Sequence, residues 1–135
     1  MTLGEGLRPC GPVVDPKAAG RARELIAGTM SAAQLERVWP ALAPVFGASP
    51  YLVSLVRRDP GRLAALVAAD PDARLGEILA RTAAAAGLAG DKAGANLRRL
   101  KAELHLLTAL ADLGRVWDLD QVTAALTRFA DAAVA

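Results

Sequence analysis

Residues 96–135 read NLRRLKAELHLLTALADLGRVWDLDQVTAALTRFADAAVA. Apolar side chains recur at three- and four-residue steps on both sides of Gly114, and this period predicts a long helix, a short turn and a second helix. In the first helix the apolar arc is wider than the usual ~100°, which indicates a central helix with neighbours on several sides. The arc contains Leu97, Leu100, Leu104, Leu106, Leu107, Leu110, Ala111 and Leu113, beside a polar stripe of Arg98, Lys101, His105, Thr108 and Asp112.

Specific residues mark the junction between these two helices. Gly114 is expected to stop the first helix, because glycine tolerates the left-handed conformation of a helix stop. Asp118 and Gln121 have the spacing of a capping box for the second helix, and Trp117 is placed to pack on Val122. The apolar face predicted for the last helix consists of Leu119, Val122, Leu126, Phe129 and Ala133.

Two charged residues interrupt the apolar arc near the start of the long helix. Arg99 and Glu103 are four residues apart, a spacing at which they can pair with each other. Either this end of the helix emerges from the core, or a partner or a missing domain docks there. On the second interpretation, the candidate contact residues are Arg98, Arg99, Lys101 and Glu103.

Upstream, several good N-cap residues stand directly before a proline. The capping oxygen satisfies unpaired amides at a helix start, and proline removes one amide that has no partner there. These pairs predict a succession of short helices over residues 16–27, 50–58, 60–69 and 71–86. The pairs are Asp15-Pro16, Ser49-Pro50, Asp59-Pro60 and Asp70-Pro71.

One further helix is expected to open at Ser31, which has a glutamine three residues on. Pro40 and Pro44 predict a break or kink near Trp39 and a short helical piece that ends at Gly47. Proline inside a helix removes a backbone hydrogen bond and clashes with the preceding turn.

The whole pattern predicts an all-α fold, an irregular multi-helix bundle of short Pro-capped helices packed on a long C-terminal helical hairpin. Residues 1–14 are rich in Gly and Pro and are expected to be a disordered lead-in. Residues 88–90 are expected to form a loop, after which Asp91 caps the long helix. The sequence ends in DAAVA without a stop signal, so we expect residues 15–135 to be one helical domain truncated before a further domain.

Composition narrows the classes of protein. The chain is 53% hydrophobic and only 4% aromatic, which favours helices. Its apolar runs are far shorter than the ~20 residues that cross a membrane, and its N-terminus lacks a signal layout, so we expect a cytoplasmic protein. The net charge is +2 with interspersed acidic residues, and the basic clusters have no interleaved aromatics, so nucleic acid is not an expected partner.

The sequence contains no catalytic constellation. His105 is the only histidine, which excludes a multi-histidine metal site. Asp118-Leu119-Asp120 resembles a magnesium-binding pair, but it opens a helix and its first aspartate is needed as a cap. We therefore predict no catalytic, cofactor-binding or metal-ligating residue in this chain.

Two segments carry a family resemblance. ASPYLVSLVRRDP at residues 48–60 and the stretch at 96–131 resemble the N-terminal part of the bifunctional glutamine synthetase adenylyltransferase/adenylyl-removing enzymes. Each motif is weak alone, but their order and spacing are fairly specific. This chain departs from the family at Ala102 and Glu103, where the basic run often continues. The matching motifs are Ser-Pro-Tyr-Leu at 49–52, Arg-Asp-Pro at 58–60, Leu-Arg-Arg-x-Lys at 97–101, Ala-Asp-Leu at 111–113, Trp117, Val-Thr-x-x-Leu at 122–126 and Ala-Asp at 130–131.

The resemblance implies a structural, non-catalytic role beside a nucleotidyltransferase domain in the same polypeptide. Enzymes of this family transfer AMP from ATP to a tyrosine of glutamine synthetase and remove it by phosphorolysis. The implied partners of the whole enzyme are glutamine synthetase and a PII signalling protein, and its implied cofactors are ATP and Mg²⁺. The alternative is a free-standing all-α protein-interaction module.

Overall fold

The computed structural model describes residues 1–88 and 91–134, without the side chains of residues 91 and 92. These described residues form helices and no strand, which confirms the all-α prediction. The expected 88–90 loop lies mostly outside the described residues, as does the side chain of Asp91. The helices are α1 (Leu3–Gly6), α2 (Pro16–Ile26), α3 (Ala32–Ala48), α4 (Pro50–Arg58), α5 (Pro60–Ala68), α6 (Pro71–Ala86), α7 (Asp91–Leu113) and α8 (Leu119–Val134).

Helix α7 is the centre of the bundle. Leu104, Leu106, Leu107 and Leu110 are all fully buried, and α7 contacts α3, α4, α5, α6 and α8. This confirms the central helix that the wide apolar arc predicted. Helix α6 packs extensively on both α7 and α8, so the C-terminal hairpin is in effect a three-helix unit.

The polar stripe of α7 and the apolar face of α8 differ from their predictions at individual positions. Thr108, predicted on the polar stripe, is buried. Its hydroxyl donates to the carbonyl of Leu104 at 2.8 Å, so burial does not leave this donor without a partner. On α8 the buried face centres on Ala125 and Phe129. Leu119 and Leu126 lie at its edge and are 75% and 42% exposed.

The N-cap-Pro pairs set the starts of four helices as predicted. Asp15, Ser49 and Asp70 each accept hydrogen bonds from backbone amides in the first turn. Asp59 makes no capping bond, although α5 still begins at Pro60. Each of these helices ends within one residue of its predicted end.

Of the break or kink predicted near Trp39, the break is wrong. The helix is continuous from Ala32 to Ala48, with Pro40 and Pro44 inside it. Because proline has no N–H, Pro40 and Pro44 leave the carbonyls four residues earlier, those of Glu36 and Pro40, without a helical hydrogen-bond donor. Both of those residues are exposed, so water can satisfy the freed carbonyls. α3 and α4 meet at Ser49 at a bend of 114°.

The prediction of a disordered lead-in over residues 1–14 is wrong for residues 2–8. Thr2 and Glu5 form a complete capping box around the short helix α1, and Leu3 is fully buried. The amide of Leu3 donates to the carbonyl of Ala69 at 2.8 Å, and that of Arg8 donates to the carbonyl of Gly114 at 3.0 Å. Residues 9–15 are exposed.

The turn between α7 and α8 differs from the prediction in which residue adopts the left-handed conformation. The left-handed residue is Arg115, with φ of 61°, rather than Gly114. Gly114 is required because Leu7 packs directly on it, and an added Cβ would also lie 2.7 Å from the carbonyl oxygen of Leu110. The capping box of Asp118 and Gln121 is confirmed, with both reciprocal hydrogen bonds at 2.8 Å.

Within residues 1–88 and 91–134, no single helix is both long and apolar enough to cross a membrane; only the bent pair of α3 and α4 together has that length and composition.

Candidate functional site

A charged cleft of about 660 Å³ opens between α5, α6 and α7. Four arginines and two carboxylates provide its charged groups, and short aliphatic side chains form the rest of its wall. We call this surface the arginine cleft. Its lining residues are Asp59, Gly61, Arg62, Ala65, Arg74, Arg81, Ala84, Ala85, Leu88, Asn96, Arg99, Leu100 and Glu103.

Arg74 lies at the centre of an ion-pair network that joins α6 to α7. Its Nη2 donates to Glu103 Oε1 at 2.7 Å, and its Nε donates to the other oxygen of the same carboxylate. Its Nη1 donates to Glu77 Oε2 at 2.7 Å. The hydrogen bond to Glu103 is the main cause that raises the pKa of Arg74 above its ordinary value. The planar guanidinium of Arg74 thus holds the carboxylate of Glu103 with two parallel hydrogen bonds, one from Nε and one from Nη2.

The pair that the spacing of Arg99 and Glu103 permits does not form. Glu103 is taken by Arg74 of the neighbouring helix, whereas Arg99 donates to the side-chain oxygen of Asn96. The cause is tertiary, because a half-buried carboxylate gains more from a bidentate partner across a helix interface than from an exposed partner one turn away.

The other arginines of the cleft are less fully engaged. Arg62 donates to the carbonyl of Leu55 at 3.3 Å and lies 3.9 Å from the carboxylate of Asp59. Among the described residues, no carboxylate forms an ion pair with Arg81 or Arg99. The cleft consequently has more positive than negative side chains.

The four predicted contact residues divide between two surfaces. Arg99 and Glu103 line the arginine cleft, whereas Arg98 and Lys101 are exposed and lie outside it. The sequence analysis missed Arg62, Arg74 and Arg81. Arg74 and Arg81 are seven residues apart on α6, a spacing that puts two side chains on one helix face. This spacing is visible in the sequence, whereas the packing of α5 and α7 beside this face of α6 is not.

A shallower groove of about 420 Å³ lies on another side of α7, between α4 and α8. We call it the α4–α8 groove. The Tyr51 hydroxyl and His105 Nδ1 are 2.7 Å apart across it, and Leu126 forms part of its apolar wall. Burial, with a smaller effect of Lys101, lowers the pKa of His105 below its usual value. The residue is therefore a neutral hydrogen-bonding partner of Tyr51 near neutral pH.

The described residues do not fit a metal-ion centre. No three His, Cys, Asp or Glu side chains among them are grouped so as to hold a metal ion. Asp118, the first residue of the Asp-x-Asp pair, is engaged as the cap of α8. Trp117 donates its indole N–H to Asp72 at 3.0 Å, so this corner of the molecule is a structural junction between α6, α7 and α8.

The described residues thus form an all-α bundle with an arginine-lined cleft and a groove in which a tyrosine and a histidine are hydrogen-bonded. Sequence comparison identifies the family to which this bundle belongs. The family model described as glutamate-ammonia ligase adenylyltransferase matches residues 39–135. The chain therefore belongs to the glutamate-ammonia ligase adenylyltransferase family, which confirms the resemblance found in the sequence.

Individual relatives agree with this assignment. The chain is 56% identical over 133 residues to the bifunctional glutamine synthetase adenylyltransferase/adenylyl-removing enzyme of Caulobacter vibrioides, a match that covers 96% of the chain and 14% of the relative. The enzymes of the same name from Rhodopseudomonas palustris strain TIE-1 and Bradyrhizobium diazoefficiens are 48% and 49% identical, over 70% and 64% of the chain and 10% and 9% of their own lengths. The chain thus spans only a small part of the relatives that it matches. No solved structure matches it.

Proposed function

We propose that this chain is a non-catalytic helical segment of an enzyme that adenylylates and deadenylylates glutamine synthetase. One observation carries the proposal: 96% of the chain matches a bifunctional enzyme of that name, of which it spans 14%. The rest of such an enzyme would then contain the reactive groups. The described residues agree with this role, since they offer packing surfaces and contain no group of three His, Cys, Asp or Glu side chains that could hold a metal ion.

The proposed enzyme transfers AMP from ATP to a tyrosine of glutamine synthetase and removes it by phosphorolysis. Its ATP and Mg²⁺ bind in nucleotidyltransferase domains of the same polypeptide, outside this segment. Glutamine synthetase and a PII protein are its proposed partners, its proposed location is the cytoplasm, and neither nucleic acid nor a membrane is a proposed partner.

The α4–α8 groove is the proposed contact with the remainder of the enzyme. Leu126 is 42% exposed and Tyr51 is 54% exposed, and both line this groove beside Leu52 and Val122. A contiguous exposed apolar patch of this kind marks a surface on which another surface packs. The occupant we propose is the nucleotidyltransferase region, because the curated relatives contain several times the length of this chain in one polypeptide.

The experiment is complementation in trans. The Caulobacter relative is expressed without the residues that match this chain, and the chain is added separately. Adenylylation of glutamine synthetase, measured by the mass increase of the modified subunit, should require both parts. Leu126→Gln should weaken restoration by about tenfold, as expected for loss of one buried leucine contact of about 1.4 kcal/mol. Thr127→Gln, on an exposed position of the same helix, is the matched control.

Two results would contradict the proposal. Transfer of AMP by the chain alone would show that it contains an active site. Full activity of the truncated relative without the chain would show that the segment is no part of the working enzyme, as expected for a free-standing interaction module.

A further inference from the structure

We propose that the arginine cleft binds a compact, non-aromatic organic anion that carries at least two phosphate or carboxylate groups. This inference goes beyond the proposed function, because it assigns a ligand site to a segment that would otherwise only support a catalytic domain. It rests on the charges, the shape and the lining chemistry of the cleft between α5, α6 and α7.

The charge of the cleft favours an anion. Four guanidinium groups line it against the carboxylates of Asp59 and Glu103, and the carboxylate of Glu77 pairs with Arg74 beside the lining, so one positive charge is in excess. Asp59 is 3.9 Å from Arg62 and 57% exposed, which makes it a weak counter-ion. A ligand with two anionic groups would pair with the two arginines that no described carboxylate engages.

Two of the four arginines are available for recognition. Arg74 is fixed and neutralised by Glu103 and Glu77, so it forms a rigid wall of the cleft and not a free cation. Arg81 and Arg99 are both exposed to solvent, and no described carboxylate forms an ion pair with either. Their guanidinium forks match phosphate and carboxylate oxygens in a bidentate manner. Because they come from α6 and α7, one ligand group for each arginine would bridge the two helices.

The shape and lining of the cleft restrict the body of the ligand. A volume of about 660 Å³ lies within the ~300–1,000 Å³ of small-molecule sites and exceeds what orthophosphate alone would fill. The described apolar lining is aliphatic, formed by Leu88, Leu100 and three alanines. Without an aromatic surface on which a nucleobase could stack, a saturated or short carbon skeleton fits better than a nucleotide.

The test is titration calorimetry on the 135-residue chain at low salt, with pyrophosphate and citrate as separate probes. Pyrophosphate supplies phosphate groups and citrate supplies carboxylates, so the tighter of the two identifies the preferred chemistry. Arg81→Gln and Arg99→Gln should each weaken binding about tenfold, the loss expected for one charge-assisted hydrogen bond. Arg98→Gln, which removes the same charge from an exposed position next to Arg99 but outside the cleft, should change binding less than twofold.

A second variant tests the electrostatic argument from the opposite direction. Asp59→Asn removes a competing carboxylate from the lining at a 57% exposed position that makes no capping bond, and it should tighten binding about threefold, since the positive excess rises. Circular dichroism confirms that each variant is folded before titration.

Several outcomes would overturn the proposal. These are no binding of either probe at millimolar concentration, equal losses in Arg98→Gln and Arg99→Gln, or weaker binding by folded Asp59→Asn. Tighter binding of AMP than of pyrophosphate would contradict the non-aromatic ligand. Binding of a poly-glutamate peptide without binding of either small probe would make the cleft a protein-docking surface.

Discussion

Replacing Glu103 with glutamine should destabilise the fold by separating α6 from α7 at their best-defined polar contact. Exposed ion pairs contribute only ~0.2–1 kcal/mol, whereas removing one partner of a buried pair costs ~3–5 kcal/mol. The side chains of Arg74 and Glu103 are 21% and 14% exposed, so the pair lies between these limits. We therefore expect Glu103→Gln to lower the free energy of unfolding by about 2 kcal/mol.

The assay is urea unfolding followed by far-ultraviolet circular dichroism. With a slope of about 2 kcal/mol per molar urea, the midpoint should fall by about 1 M. A double-mutant cycle with Arg74→Gln should give a coupling energy of about 1.5 kcal/mol. Glu77→Gln is the matched control, because it removes an ion pair to the same arginine from a 57% exposed position, and its cost should be below ~0.5 kcal/mol.

The reasoning fails if the two single substitutions are additive. Additivity would mean that the bidentate contact contributes nothing beyond what each side chain gains alone. A cost for Glu77→Gln equal to that for Glu103→Gln would show that burial of the pair does not set its strength.

Three further predictions concern other parts of the fold. Gly114→Ala should cost about 2 kcal/mol of stability through overpacking against Leu7, measured by urea midpoint, and an unchanged midpoint would refute the close approach. Leu3→Ala should cost about 2–3 kcal/mol, and a cost near zero would indicate that α1 is not docked. Because burial lowers the pKa of His105 from 6.5, the unfolded chain binds protons more readily than the folded one. Stability should therefore fall as pH drops through the window just below 6.5, and His105→Gln should remove that part of the dependence.

Local signals predicted the helices well because their causes are local. An N-cap side chain such as that of Asp70 acts on amides two and three residues away, so its effect is visible in the sequence. Pro40 and Pro44 misled the prediction, because the cost of a proline depends on whether the freed carbonyls reach water. Exposure of that kind is a property of the packed bundle.

The misses near the N-terminus and in the arginine cleft have a common physical origin. Thr2 and Glu5 have the capping-box spacing, yet the helix they begin is stable only because Leu3 is buried by distant helices. The sequence did not reveal the partner of Glu103 for the same reason, since Arg74 reaches this carboxylate only after α6 and α7 have packed. Sequence periodicity defines which face of α7 is buried, but the identity of its neighbours requires the assembled fold.

The backbone bonds of the N-terminal segment also constrain the order of events during synthesis. Leu3 and Arg8 are translated well before Ala69 and Gly114, whose carbonyls accept hydrogen bonds from their amides. Native contacts between such distant positions form slowly. Residues 3 and 8 therefore remain undocked at least until residues 69 and 114, respectively, have been made.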